Sequence, residues 1–228
     1  MTKNIKAFAF IILLISTSPL FAQDELPIPP QNAISIVPQY AFVKGIRVDY
    51  EKNLKNTEHW IVVASQIYLD AGNNSFYYYN DGNYGDYQSM IGVGINFYYK
   101  SMVYTSDKVN WNSGLPRHSL YLQAGPNYQY FNLTNKEEVA IPFIDNGITY
   151  YQFDVVEVNK PINRFGAVGD VGWQLAFDRF LLDLYLGVAI KYSIDGNGKM
   201  IKDNHPTWVE RTYSGVLLDG GVRVGMFF

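Results

Sequence analysis

From residue 33 to the end of the chain, apolar and polar side chains trade places one residue at a time. Ile91, Val93, Ile95, Phe97 and Tyr99 alternate with Met90, Gly92, Gly94, Asn96 and Tyr98. Phe180, Leu182, Leu184, Leu186, Val188, Ile190 and Tyr192 alternate with Asp183, Tyr185, Gly187 and Lys191. A period of two is the mark of a strand whose two faces meet different surroundings. The pattern predicts strands over 34–43, 46–53, 59–69, 88–104, 118–131, 165–177, 180–193 and 216–228. It is weakest in the third, HWIVVASQIYL. Apolar residues do not recur at three or four, so the helical template fits nothing comparable. Apart from the marginal second segment, each reaches the ~9–11 residues that a tilted strand needs to cross a bilayer.

Between these segments lie a tight turn at Lys44-Gly45 and polar turns at 53–58, 105–117 and Asp178-Arg179. Longer connections run over 70–87, 132–163 and 194–214, with a local hairpin expected around Asp145-Asn146-Gly147. An even number of strands joined in sequence predicts an all-β fold, an eight-stranded antiparallel up-and-down barrel. Alternation alone does not say which face points out. A soluble ligand-binding barrel puts its apolar face inside, and a membrane barrel puts it outside.

Three features favour the membrane. The polar face carries Arg47, Asp49, Glu51, Lys100, Asp170, Asp183, Lys191, Asp219 and Arg223. Glycines are interleaved with them at 92, 94, 125, 166, 172, 187, 221 and 225, which suits a narrow interior. The connections also alternate in length, with short turns at one end and mostly long loops at the other, as in outer-membrane barrels. Finally, Trp60, Tyr99, Tyr128, Tyr130, Phe165, Phe177, Phe180, Tyr192 and Phe228 fall at the ends of the apolar face. Amphipathic rings favour the headgroup level.

Ahead of the strands, residues 1–22 read as a secretory signal peptide. Lys3 and Lys6 precede the apolar run Ala7–Ile15, and Leu20-Phe21-Ala22 leads to a cut before Gln23. Residues 23–32, with three prolines, form a short periplasmic leader, and 33–228 form the barrel. The 228 residues include no cysteine, which excludes a disulfide framework, a thiolate metal site and a lipoprotein anchor. Charged residues are only 17% and the net charge is −3, so nucleic acid is not an expected partner.

The export junction Leu20-Phe21-Ala22-Gln23, the eight alternating segments and the last strand VLLDGGVRVGMFF together resemble the small outer-membrane β-barrels of the OmpA/OmpX type in Gram-negative bacteria. The Ala-Gln cut and Tyr/Asn-rich loops look like proteins of the Bacteroidota. The resemblance covers residues 33–228. It implies outer-membrane lipid as the surroundings, and Phe228 as the terminal aromatic by which the barrel-assembly machinery reads the last strand.

Candidate chemistry is sparse. His59, His118 and His205 are scattered, and His205, Ser214 and Glu210 are the one set that a lipid-modifying enzyme would use. Gly92-Val93-Gly94 and Asp219-Gly220-Gly221 lie inside strands, where a phosphate-binding loop is not expected. Asp195-Gly196-Asn197-Gly198 lacks the acidic ligands of a calcium loop. No cofactor or metal is expected. Phe76-Tyr77-Tyr78-Tyr79, with Tyr84 and Tyr87, reads first as a strand extension above the membrane, the alternative being a stacking surface for sugars or a partner protein. The inward charges are the informative feature. Eight strands leave an interior that side chains fill, so buried charges must pair. Asp183 is expected to meet Arg223, and Lys191 to meet Asp219. Asp49 or Glu51 would extend the ladder past strand one, and Arg47 and Asp170 would join it. The expected protein is a non-enzymatic outer-membrane barrel with a structural or surface-interaction role through its loops. The alternatives are a narrow solute or ion channel and, less favoured, a lipid-modifying enzyme.

Overall fold

The computed structural model describes residues 31–54, 57–70, 89–106, 117–145, 147–177, 179–201 and 214–228. The signal peptide, most of the leader and the tyrosine-rich stretch 76–87 lie outside them. Among the described residues, eight strands run β1 Asn32–Ile36, β2 Gly45–Asn53, β3 His59–Asp70, β4 Ser89–Thr105, β5 Arg117–Asp145, β6 Ile148–Phe177, β7 Phe180–Asp195 and β8 Gly215–Phe227. Each pairs antiparallel with the next, and β1 pairs with β8, so the sheet closes into a barrel. No helix among the described residues is long and apolar enough to cross a membrane.

The alternation sorts the faces as the pleat requires. On β7, Leu186 and Ile190 are 67% and 61% exposed on the outside, while Asp183 is fully buried inside. The same sorting makes a continuous outer belt that includes Ile67, Ile91, Val93, Leu122, Val171 and Leu218. Between Phe180 and Tyr192, a rise of ~3.3 Å per residue and a tilt of ~45° give roughly 28 Å, close to the ~25 Å apolar band of membrane barrels. The Tyr128 ring packs tilted against Phe165 at one rim, with Tyr192 paired to Phe165 on the next strand. At the other rim His59 stacks on Tyr99 and His118 on Trp173.

Three expectations are corrected. Strand one does not run to residue 43. It stops at Ile36, and Pro38–Val43 form a 3-10 turn closed by Lys44 in the left-handed conformation (φ 52°). Pro38 has no N–H to give a ladder and is accepted at the first position of a helical turn. Tyr40, expected outside, therefore lies inside, where its ring packs near Tyr68. Trp60 also points inward. It is 7% exposed and sits 6.4 Å from the Phe227 ring. Strand three is apolar on both faces, so its alternation carried little information about Trp60.

The third correction concerns 132–163, which is not a loop. β5 and β6 continue through it as a two-stranded ribbon, in register from Asn135↔Val158 to Asp145↔Ile148. Gly147, with φ +82°, supplies the left-handed residue of the tight turn at its tip. β4 stops pairing with β5 at Thr134, and β7 stops pairing with β6 at Ile162. Beyond those points no described strand covers either edge of the ribbon.

Candidate functional site

The interior is built in layers. Nearest the chain termini, Ala33, Trp60, Met102, Leu181 and Phe227 form an apolar floor. Above it lies an ionic layer of three bases and three acids, Arg47, Lys100 and Arg223 with Asp49, Glu51 and Asp183, none more than 1% exposed. Arg47 grips Asp49 with two bonds, Nε to Oδ1 at 2.7 Å and Nη2 to Oδ2 at 2.8 Å. The two residues are two apart on one strand, so the pleat puts them on one face. Lys100 Nζ donates to Glu51 Oε2 at 2.8 Å and approaches Asp183 Oδ2 at 3.5 Å.

Asp183 and Arg223 face each other directly across β7 and β8. Arg223 Nη1 donates to Asp183 Oδ2 at 3.0 Å, and its Nε lies 2.9 Å from Asp49 Oδ2, past the short β1. Tyr121 closes the group: its hydroxyl donates to Asp183 Oδ1 at 2.6 Å and accepts from Arg223 Nη1 at 2.9 Å. Gly172 stands opposite Tyr121, where a Cβ would overlap the Tyr121 ring. Asp170, one layer higher, accepts from Gln123 Nε2 at 2.7 Å.

The remaining expected pair does not form. Asp219 lies opposite Gly187 and Lys191 opposite Gly215, four residues apart on β8, or roughly 13 Å at ~3.3 Å per residue. The stem of Lys191 leans the other way, across Gly166 of β6, where a Cβ would come 2.9 Å from its Cδ. Neither Lys191 nor Asp219 has a hydrogen-bond or ion-pair partner among the described residues. Both line a cavity of about 430 Å³ in the upper interior, together with Gln66, Asn96, Gln129 and Arg164. Arg164 is a buried inward cation that the sequence analysis did not single out. Its parity shows in N-R-F-G, where Arg164 precedes outward Phe165. Above the cavity Tyr68, Met90, Phe131, Leu133, Ile162 and Ile201 form an apolar roof.

The enzyme set is not assembled among the described residues. His205 and Glu210 lie outside them, and Ser214 Oγ accepts from the Ser193 amide at 2.9 Å. His59 and His118 sit at the outer rim near the termini, and no group of three or more His, Cys, Asp or Glu suited to a metal occurs among the described residues. Phe228, at the end of β8, holds β1 by mutual backbone bonds with Asn32 at 3.2 and 2.9 Å.

Fold and interior together define a closed antiparallel β-barrel whose polarity is reversed, apolar outside and ionic inside. No protein-family model matches the chain, and no curated protein matches it. Among solved structures it is similar to the crystal structure of Acinetobacter baumannii CarO, with 13% identity over 87% of this chain and 98% of that one, at a TM-score of 0.38. That likeness is too slight to bear on function.

Proposed function

We propose that this chain is a non-enzymatic, integral outer-membrane protein, an eight-stranded barrel with a filled lower lumen, acting as a structural or surface-interaction protein. The observation that carries the reading is the reversed polarity. A belt of large aliphatic and aromatic side chains faces out, while six fully buried charges face in. In water that belt would be a liability far larger than ordinary surface patches, and in lipid it is the required surface.

The surface-interaction role is assigned to the β5–β6 ribbon. Ile144, Tyr151 and Phe153 are 75%, 63% and 65% exposed there, and an isolated two-stranded hairpin is at best marginal in water. Partners are outer-membrane lipid on the belt and the barrel-assembly machinery on the last strand, where the Phe228 ring is free at the outer rim. A net charge of −3 argues against nucleic acid as a partner. A conducting pore is the lesser reading, because the floor, the ionic layer and the roof cross the interior in succession. A planar-bilayer recording without unitary currents is expected.

The chain has no native cysteine, so single cysteines report topology cleanly. In intact cells a membrane-impermeant maleimide should label Ile144→Cys at the ribbon and spare Thr57→Cys at the opposite turn. The reverse result inverts the topology. A soluble, detergent-free monomer recovered from the periplasm overturns the membrane reading.

A further inference from the structure

The barrel ladder is complete at one end and broken at the other. β1 pairs with β8 only from Ala33↔Phe227 to Ile36↔Val224, and with β2 only as far as Ile36↔Val48. Above that level no described strand lies between β8 from Gly215 to Gly221 and β2 from Gly45 to Ile46; at Arg47 the carbonyl still accepts from the Val37 amide at 3.2 Å. The 3-10 turn occupies the space instead. Gln39 forms the sill of the gap: its side-chain amide meets the Val222 backbone and the Tyr185 hydroxyl.

This break lies inside the apolar belt, since Val216 and Leu218 on β8 and Ile46 on β2 are 63%, 58% and 65% exposed on the outer face. An open sheet edge facing hydrocarbon strands backbone N–H and C=O groups at a cost of several kcal/mol each, and is tolerated only where it borders a polar cavity. A polar cavity lies there. Its walls combine inward Lys191, Asp219 and Gln66 with outward Leu186 and Leu218 and with Gly220 between them. Residues of both faces therefore border this cavity beside the break.

We propose that the gap between β8 and the 3-10 turn, where β1 no longer fills the wall, is a lateral portal by which a membrane amphiphile with a zwitterionic head enters the upper lumen. The head lies between Lys191 and Asp219, and the chain lies over Leu186 and Leu218. The two charges are of opposite sign, face one cavity and are not joined to each other. A phosphate–ammonium head offers Lys191 and Arg164 its anion and Asp219 its cation, while Gln66 and Asn96 supply neutral donors and acceptors. The cavity volume falls in the range of small-molecule sites. The apolar residues at the portal leave the chain in the lipid phase, so only the head is transferred into the lumen.

The portal rests on the membrane reading above, and the test separates the two. The barrel is reconstituted in dodecylmaltoside, its folding is checked by heat-modifiable migration, and bound probe is counted by native mass spectrometry. Palmitoyl-lysophosphatidylcholine should be retained at one per barrel. Monopalmitoylglycerol, with the same chain and a neutral head, should bind at least tenfold more weakly. Lys191→Met and Asp219→Asn should each lower lysophosphatidylcholine retention at least fivefold, Gly220→Phe should abolish it, and Leu122→Phe on the far side of the belt should leave it unchanged. Equal retention of the two probes by the wild-type barrel overturns the portal, whatever the variants do, and so does retention that none of the first three variants changes, which is annular lipid only. A chain that does not fold as a barrel in detergent overturns the membrane reading as well.

Discussion

The lower and upper halves of the lumen are made from the same kinds of residue and end in opposite states. Near the termini three bases and three acids are buried together, and each base touches at least one acid. In the upper half Lys191 and Asp219 face the same interior and meet no hydrogen-bond or ion-pair partner among the described residues. Charge and parity do not separate the halves. Reach and wall closure do. Below, β1 completes the ring, Asp183 and Arg223 share a register pair, and Arg223 reaches Asp49 across the width of one short strand. Above, Pro38 has ended β1, the pair is offset by four residues, and Lys191 leans away over Gly166. A barrel interior is therefore ionically sealed only where its wall is.

That contrast can be broken most forcefully at Arg223. Arg223→Ala takes from Asp183 its closer cation, leaving Lys100 at 3.5 Å, and from Asp49 one of its two, and urea unfolding in detergent should show a loss of about 3–5 kcal/mol. Adding Asp183→Ala should recover part of that loss. Strict additivity would mean that the two side chains do not interact. Gly172→Val sets a side chain against the Tyr121 ring, and overpacking of that kind should cost about 1–3 kcal/mol in the same assay. Tyr121→Phe keeps the ring and removes the hydroxyl shared by Asp183 and Arg223. Hydrogen bonds to charged groups set its loss at about 1.5–3 kcal/mol, in the same range as Gly172→Val.

The smallest effect is expected in the upper half. Lys191→Met removes a charge that has no ion-pair partner among the described residues and keeps an apolar stem, so stability should change by less than about 1 kcal/mol, with a gain as acceptable as a loss. If Lys191→Met destabilises as much as Arg223→Ala, the upper half is sealed too and the contrast between the halves fails.

Much of this protein is written in its alternation. The strand count among the described residues and the sharing of one face by the nine expected charges follow from period two, while the inward direction of that face was read from its interleaved glycines, the loop lengths and the aromatics at the ends of the apolar face. Parity is a local consequence of the pleat and needs no neighbour. The facing of Asp183 and Arg223 was also legible, because both have inward parity and lie near the same end of neighbouring strands, Asp183 just after β7 begins and Arg223 just before β8 ends. Tertiary structure alone decided the rest. Trp60 turned inward because closure of the ring put β3 opposite Phe227, and a strand apolar on both faces holds no local preference. The stretch 132–163 became a ribbon because β5 and β6 were already paired below it, so each further pair required little extra closure entropy. Arg47 with Asp49 needed one strand, whereas Lys100 with Glu51 and Asp183 needed β2, β4 and β7 brought around a common axis. Pairing across a lumen depends on the diameter and stagger of the closed barrel, quantities that no single strand carries.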